Sequence, residues 1–162
     1  MSSPPRRGPF RRSPFPGAFR PGESRSTILT QSNPVHRAVI LCVERDPHVR
    51  DLEAYFLTEA GFQVTVAADG IEAFELVRTL RPAIVVTEIL VPKLDGLALC
   101  RRLKADEATT VTAVLVFSLL AAEDRARDAG ADAFLGKPLA AQRLTDTVRK
   151  LLALHSTPDR TP

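Results

Sequence analysis

Three short runs of this sequence are almost entirely apolar, and each is followed by a segment with helical spacing. The runs cover residues 38–43 (AVILCV), 82–88 (PAIVVTE) and 111–118 (VTAVLVFS). Strands that are nearly continuous apolar runs are typical of parallel sheets buried on both faces. Their alternation with helices therefore predicts an α/β fold.

The remaining segments complete five strands and five helices between residues 38 and 154. The other strands are predicted at 62–67 and 133–136, and the helices at 46–61, 71–80, 97–105, 121–130 and 138–154. With right-handed crossovers this alternation gives one parallel five-stranded sheet with helices on both faces. Ligands of such sheets bind at the carboxyl ends of the strands.

Apolar residues at helical spacing predict which face each helix buries. The first helix starts at the Asp46–Pro47 pair, which is typical of an N-cap followed by the first helical position. Stripes are predicted in the first, second and last helices. Their members are Val49, Leu52, Tyr55, Phe56 and Ala60, then Ala73, Phe74, Val77 and Leu80, and then Leu144, Val148, Leu151 and Leu152.

The first 37 residues differ from the rest in charge and in proline content. They hold seven of the 13 prolines and seven arginines against one acid, so this segment carries +6 and residues 38–162 carry −3. Proline at this density predicts a disordered extension, and residues 155–162 are predicted to form a flexible tail. The extension is interpreted as solvated chain or as an over-annotated start, with a functional basic tether as the alternative.

The cysteines and the hydropathy pattern predict a cytoplasmic protein. Cys42 lies inside an apolar run, and Cys100 is the only other cysteine, so a disulfide framework is not expected. No apolar run approaches the roughly 18 residues that a membrane span needs.

Polar residues follow four of the five predicted strands at their carboxyl ends. Glu44, Arg45 and Asp46 follow the first strand, Glu88 ends the third, Ser118 ends the fourth and Lys137 follows the fifth. These residues face one crevice if the first, third, fourth and fifth strands lie side by side. Taken singly, Asp46 is better explained as an N-cap, Ser118 as a turn residue and Lys137 as a surface lysine.

Four motifs at these strand ends resemble a response-regulator receiver domain. They are ILCVERDP, RPAIVVTEILVPKLDG, AVLVFS and AGADAFLGKPL, and the resemblance covers residues 38–154. It implies the flavodoxin-like (βα)5 fold with strand order 2-1-3-4-5. In that family, an acidic pair and an aspartate hold Mg²⁺, and the aspartate accepts a phosphoryl group. A hydroxyl and a lysine bind the phosphoryl oxygens, and an aromatic residue changes position on activation.

The family positions map onto this chain residue by residue. The resemblance implies that Glu44 and Arg45 stand for the acidic pair, with Asp46 beside them. Glu88 stands for the phosphoacceptor, Ser118 for the hydroxyl, Lys137 for the lysine and Phe134 for the switch aromatic. It also implies a cis Lys137–Pro138 peptide bond. Only nineteen residues separate Ser118 from Lys137. The region after the fourth strand is therefore about one helical turn shorter than is usual in the family.

The acceptor and the metal-binding positions depart from the family pattern. The acceptor is Glu rather than Asp, and Arg45 replaces a carboxylate. Glu44, Glu88, Arg45 and Lys137 sum to zero charge, so no metal is expected, and no cofactor. A cation at Arg45 would repel Mg²⁺ by about 4 kcal/mol at 4 Å and an effective dielectric of 20. Glu88 is expected to contact Lys137, Arg45 or Ser118, and Phe134 to be a fixed core residue.

These features predict a single-domain, phosphorylation-independent pseudo-receiver that acts by protein–protein contact in a two-component or related pathway. The expected partner is a histidine kinase, a regulator or an effector, and monomer and dimer both remain open. No output domain is expected after Leu154, and no enzyme motif is present. The alternatives are a relic pocket, a working but unusual phosphoacceptor, a flavin-binding relative, and an anionic-surface or nucleic-acid binder through the Arg-rich extension.

Overall fold

The computed structural model describes residues 37–138 and 140–156. Residues 1–36, Leu139 and 157–162 lie outside the described part of the chain. The predicted disordered extension and most of the predicted C-terminal tail therefore stay predictions. The described chain starts just before the first strand and ends just after the last helix.

Five strands alternate with five helices, as the sequence predicts. The strands are β1 (Val39–Val43), β2 (Gln63–Ala67), β3 (Ile84–Thr87), β4 (Ala113–Ser118) and β5 (Ala133–Gly136). The helices are α1 (Pro47–Glu59), α2 (Gly70–Leu80), α3 (Gly96–Ala105), α4 (Glu123–Asp128) and α5 (Ala141–His155).

All strands pair in parallel in the order β2-β1-β3-β4-β5, which confirms the predicted topology. In the register of the inner strands, Val43 lies opposite Thr87 and Thr87 opposite Val116. The chain therefore leaves β1, β3, β4 and β5 at one edge of the sheet. This shared edge brings together the polar residues that follow those four strands.

Two apolar layers enclose the sheet because its residues alternate between faces. Ile40 and Cys42 of β1 pack on the side of α1 and α5, with Leu57, Leu144 and Val148. Leu41 and Val43 pack on the other side, which α2, α3 and α4 cover. The predicted burial of Cys42 is confirmed, and Cys100 is also buried and unpaired.

The first helix buries only part of the predicted stripe. Val49, Phe56 and Ala60 are partly buried, but Leu52 and Tyr55 are exposed, and the fully buried residues of α1 are Glu53 and Leu57. The prediction was wrong for Leu52 and Tyr55 because it followed hydrophobicity alone and passed over the acid at position 53. Of the other predicted stripe residues, Leu80 is exposed and Leu152 is only partly buried, while the rest of those two stripes are buried.

Helix α4 has only six residues, fewer than the predicted 121–130. The helix is not extended at either end. Ala122 precedes it without a side-chain cap, and Ala129 ends it before Gly130, which has a positive φ. None of the described helices is long and apolar enough to cross a membrane.

Candidate functional site

The carboxyl edge of the sheet forms a crevice of about 310 Å³. Glu44 lies at its floor on the β1 side, Glu88 on the β3 side, and Lys137 enters from the segment between β5 and α5. Ser118, at the end of β4, contacts Glu88 from the neighbouring strand. The structure therefore brings together four of the residues singled out in the sequence.

Lys137 is the centre of this arrangement. Its Nζ lies 2.5 Å from Glu44 Oε2, 3.3 Å from Glu88 Oε2 and 3.4 Å from Glu53 Oε1. The Lys137 side chain is only 7% exposed. Burial alone would lower the pKa of Lys137, but the hydrogen bond to Glu44 and the charges of Glu53 and Glu88 hold the pKa above its usual value. The lysine is therefore a cation held by three carboxylates, here called the Lys137 cluster.

The cis Lys137–Pro138 peptide bond is present, as the family resemblance implies. The backbone N–H of Lys137 also donates to the carbonyl oxygen of Ser118 at 2.9 Å. The segment after β5 is thus tied to the end of β4.

Glu88 is held by neighbouring donors rather than free at the floor of the crevice. Its Oε1 accepts hydrogen bonds from the Ser118 hydroxyl and from the Ile89 N–H at 2.6 Å, and its Oε2 accepts from the Leu119 N–H at 3.2 Å. Burial raises the pKa of Glu88, but the hydrogen bonds from Ser118 and Ile89 and the charge of Lys137 outweigh it and lower the pKa overall. Glu88 is therefore a carboxylate already satisfied within the protein.

The loop after Glu88 also requires a glycine. A Cβ atom on Gly96 would lie 2.2 Å from the Glu88 carbonyl oxygen, and the Gly96 N–H donates to the carbonyl of Ile89 at 2.9 Å. The chain therefore folds back on the strand end so tightly that no side chain fits at position 96.

Glu53 is a member of the cluster that the sequence analysis missed. It is 2% exposed on α1, and it contacts Lys137 from the helix side. A usable signal was present, because Val49, Glu53 and Leu57 share one helical stripe with four-residue spacing. An acid in an inward stripe indicates a buried partner of opposite charge.

The zero charge predicted for Glu44, Glu88, Arg45 and Lys137 becomes −1 when an ionised Glu53 is added to the same group. Arg45 is exposed at the opening of the crevice and forms no ion pair within 4.0 Å among the described residues. Of the three partners offered as alternatives for Glu88, the structure shows Lys137 and Ser118 in contact with it, and Arg45 is not. Three carboxylates surround Lys137, which leaves a formal excess of negative charge.

Asp46 serves mainly as a helix cap. Its carboxylate accepts hydrogen bonds from the N–H groups of His48 and Val49 at 2.9 and 3.3 Å, and these bonds lower the pKa of Asp46. Its own N–H donates to Glu44 Oε1 at 2.8 Å. Asp46 therefore begins α1 and orients Glu44, but its carboxylate stays outside the Lys137 cluster.

Phe134 is partly buried, and the expectation that it is a fixed core residue rather than a switch stays a prediction. It packs against the core beneath α4, and beside it lies a hollow lined by Ala126, Arg127 and Asp132. The six-residue α4 lines this hollow through Ala126 and Arg127.

The donor groups of the crevice do not fit Mg²⁺. This cation requires several oxygen ligands in octahedral geometry. Instead the Lys137 ammonium lies against Glu44 and Glu88, and the Ser118 hydroxyl and three backbone N–H groups donate to the two oxygens of Glu88. No group of three or more acidic, His or Cys side chains spaced for a metal is found among the described residues.

The opening of the crevice is apolar. Its walls are Val49, Leu52, Leu90, Leu119 and Pro138, with Arg45 at the edge. Leu119 is 74% exposed, and Leu52 and Leu90 are about half exposed. Exposed leucines around a concave site are typical of protein contact surfaces. This set of six residues is here called the crevice mouth.

Comparison with known proteins places this geometry in a family context. The family model described as the response regulator receiver domain matches residues 40–149. The curated relatives include the DNA-binding dual master transcriptional regulator RpaA of Synechocystis sp., 36% identical over 116 residues, which are 70% of this chain and 48% of that protein. Response regulator MprA of Mycobacterium sp. (strain KMS) is 38% identical over 124 residues, 76% of this chain and 54% of that protein. The chain thus spans about half the length of these relatives.

Solved structures agree with the sequence comparison. The receiver domain of a signal transduction histidine kinase from Syntrophus aciditrophicus matches with a TM-score of 0.68 and 30% identity, over 77% of this chain and 95% of that chain. The receiver domain of the Francisella response regulator 1452 matches with a TM-score of 0.69 and 26% identity, over 73% of this chain and 98% of that chain. From the family model, the strand order and the residues at the strand ends, the chain belongs to the response regulator receiver domain family.

Proposed function

We propose that this receiver domain transmits a signal by protein contact and without accepting a phosphoryl group at Glu88. The observation that supports this proposal is that the groups expected to bind a phosphoryl group already have partners within the protein. The hydroxyl and the lysine that would bind phosphoryl oxygens contact Glu88 itself. A phosphoryl group at Glu88 would have to displace both contacts.

Charge also opposes phosphoryl transfer here. The reaction needs cations to position the phosphoryl group and to neutralise developing charge. The Lys137 ammonium is already shared among three carboxylates, and Arg45 stands at the mouth as a positive charge. Arg45 supplies charge at the opening but no oxygen ligands for a metal.

The crevice mouth supports a protein as the binding partner. Leu52, Leu90 and Leu119 place apolar surface around the site, where a partner in a two-component pathway would bury it. A histidine kinase, another regulator or an effector fits this role. The cytoplasmic location and nucleic-acid binding through residues 1–37 stay predictions. Salt-dependent DNA binding that is lost on deleting residues 1–37 would support the latter.

The test is phosphorylation by a small acyl-phosphate donor with Mg²⁺, followed by intact-mass measurement. The wild type should gain no phosphoryl mass, and its melting temperature should not rise with Mg²⁺. Glu88→Asp and Arg45→Asp should each stay unlabelled, since each leaves one obstacle in place. The double variant should bind Mg²⁺ and become labelled.

Glu75→Asp is a matched control, because it makes the same change at an exposed position of α2. Labelling of Glu88 in the wild type would overturn the proposal and show a working phosphoacceptor. Failure of the double variant to bind Mg²⁺ would show that Arg45 and Glu88 are not what keeps the cation out.

A further inference from the structure

Glu53 is a buried acid that the proposed signalling role does not require. It lies on the buried face of α1, where apolar side chains would ordinarily pack, and it is 2% exposed. Its Oε1 is 3.4 Å from Lys137 Nζ, which is long for a hydrogen bond. Glu53 is thus the most buried and the most weakly held carboxylate of the Lys137 cluster.

The groups that face Glu53 come from three other elements. From the β1 side come Cys42 and Glu44, from the end of β3 comes Glu88, and from the segment after β5 comes Lys137. On α1 itself, Arg50 donates to the backbone carbonyl of Glu44 at 2.9 Å. Two carboxylates therefore repel a charge on Glu53, and the single lysine that attracts it is bound more closely by Glu44.

This environment favours the protonated form of Glu53. Burial raises the pKa of Glu53 to about 7 against the attraction of Lys137, and the charges of Glu44 and Glu88 add to the rise. Glu88 has the same cation nearby, but the hydrogen bonds it accepts from Ser118 and Ile89 help to lower its pKa. Within one cluster, the pKa of Glu53 is therefore raised and that of Glu88 is lowered.

We propose that Glu53 is a reversible proton-binding site whose protonation sets how firmly Lys137 is held and how negative the crevice is. With a proton on Glu53, Lys137 is shared by Glu44 and Glu88 only. Without it, three carboxylates compete for one ammonium. The inference does not depend on whether Glu88 accepts a phosphoryl group, because it concerns the helix side of the cluster.

The sign of the stability effect follows from linkage. The folded state binds the Glu53 proton more tightly than the unfolded chain, whose glutamate has an ordinary pKa of 4.5. The stabilisation of the folded state by this proton is complete below the unfolded pKa of 4.5. It is lost as the pH rises through the folded pKa of about 7. Between these limits the folding equilibrium constant should fall by up to about tenfold per pH unit.

The first experiment measures unfolding of the full chain by denaturant from about pH 5 to pH 8. The wild type should lose stability as the pH rises, and Glu53→Gln should remove that part of the pH dependence. Glu59→Gln, at an exposed position of the same helix, should behave like the wild type. If Glu53→Gln does not fold, Glu53→Leu supplies the same test with an apolar residue.

A second measurement follows the cluster directly in the wild type. In ¹³C NMR of glutamate-labelled protein, one side-chain carboxyl should titrate near pH 7, well above the ordinary glutamate pKa of 4.5. The Lys137 side-chain signal should move with the same midpoint, which a merely structural Glu53 would not cause. The proposal is overturned if every glutamate titrates below about pH 5.5, if Lys137 stays unchanged, or if Glu53→Gln keeps the wild-type pH dependence.

Discussion

Two lysines at opposite ends of the sheet show how differently this fold uses the same side chain. Lys104, from α3, binds near the amino ends of β4 and β5, where its Nζ lies 2.8 Å from Asp132 Oδ2 and 2.9 Å from the carbonyl oxygen of Thr112. Lys137 lies at the carboxyl ends among three glutamates. One site pairs one cation with one carboxylate, and the other leaves negative charge in excess.

The surroundings of Asp132 and of Glu53 explain the difference between the two lysine sites. Asp132 also accepts a hydrogen bond from the Val114 N–H at 2.7 Å, so it ties α3, β4 and β5 together and is fully used as a structural link. The Lys104 side chain is 21% exposed, so solvent screens this pair. The Lys137 cluster is less exposed, and within the described part of the chain no backbone N–H is seen donating to its third carboxylate, Glu53. The balanced site suits a structural role, and the unbalanced one suits a response to protons or partners.

The strongest test of this contrast is removal of each lysine. Lys137→Met leaves buried carboxylates without their cation and should reduce the free energy of unfolding by about 3–5 kcal/mol. Lys104→Met removes a partly screened pair and a carbonyl contact and should cost about 1–2 kcal/mol. Denaturant unfolding at one pH measures both. Equal losses would show that the two sites do not differ as their geometry indicates.

A smaller effect is expected at Phe134, which lies on β5 between the two ends. A fully buried ring would lose about 3–5 kcal/mol on truncation. Phe134→Ala should lose about 1–3 kcal/mol instead, because the ring is only partly buried. Phe117→Ala, at a buried position of β4, is the control and should lose more. A Phe134 loss that matches the control would place the ring inside the core.

The smallest effect is expected at Arg45. Arg45→Ala should change the free energy of unfolding by less than about 0.5 kcal/mol, since the side chain is exposed and outside the Lys137 cluster. Thermal unfolding at low and high salt checks this. A larger loss that salt diminishes would show that Arg45 belongs to the cluster after all, and the contrast with Lys104 would weaken.

The fold could be predicted from the sequence because local signals and topology agree. The apolar runs at β1, β3 and β4 and the cap at Asp46 each point to the same alternating sheet. The site was predicted in part, since strand ends put Glu44, Glu88, Ser118 and Lys137 at one edge. Glu53 was missed because the predicted stripe counted apolar residues only, and so passed over an acid that lies between Val49 and Leu57 on the inward side of α1. Arg45 was misplaced for a similar reason, because a residue number at a strand end does not fix the direction of a long side chain.

The close approach at Gly96 has a consequence for how freely this sequence can vary. A Cβ at position 96 would collide with the backbone of Glu88, whereas a Cβ on Gly136 would meet nothing within 4 Å. In a library of random substitutions selected only for folding, position 136 should accept many residues and position 96 should return glycine. The loop that follows Glu88 at the carboxyl end of β3 is therefore fixed by main-chain geometry. The residue at position 88 can change without changing the backbone of this loop.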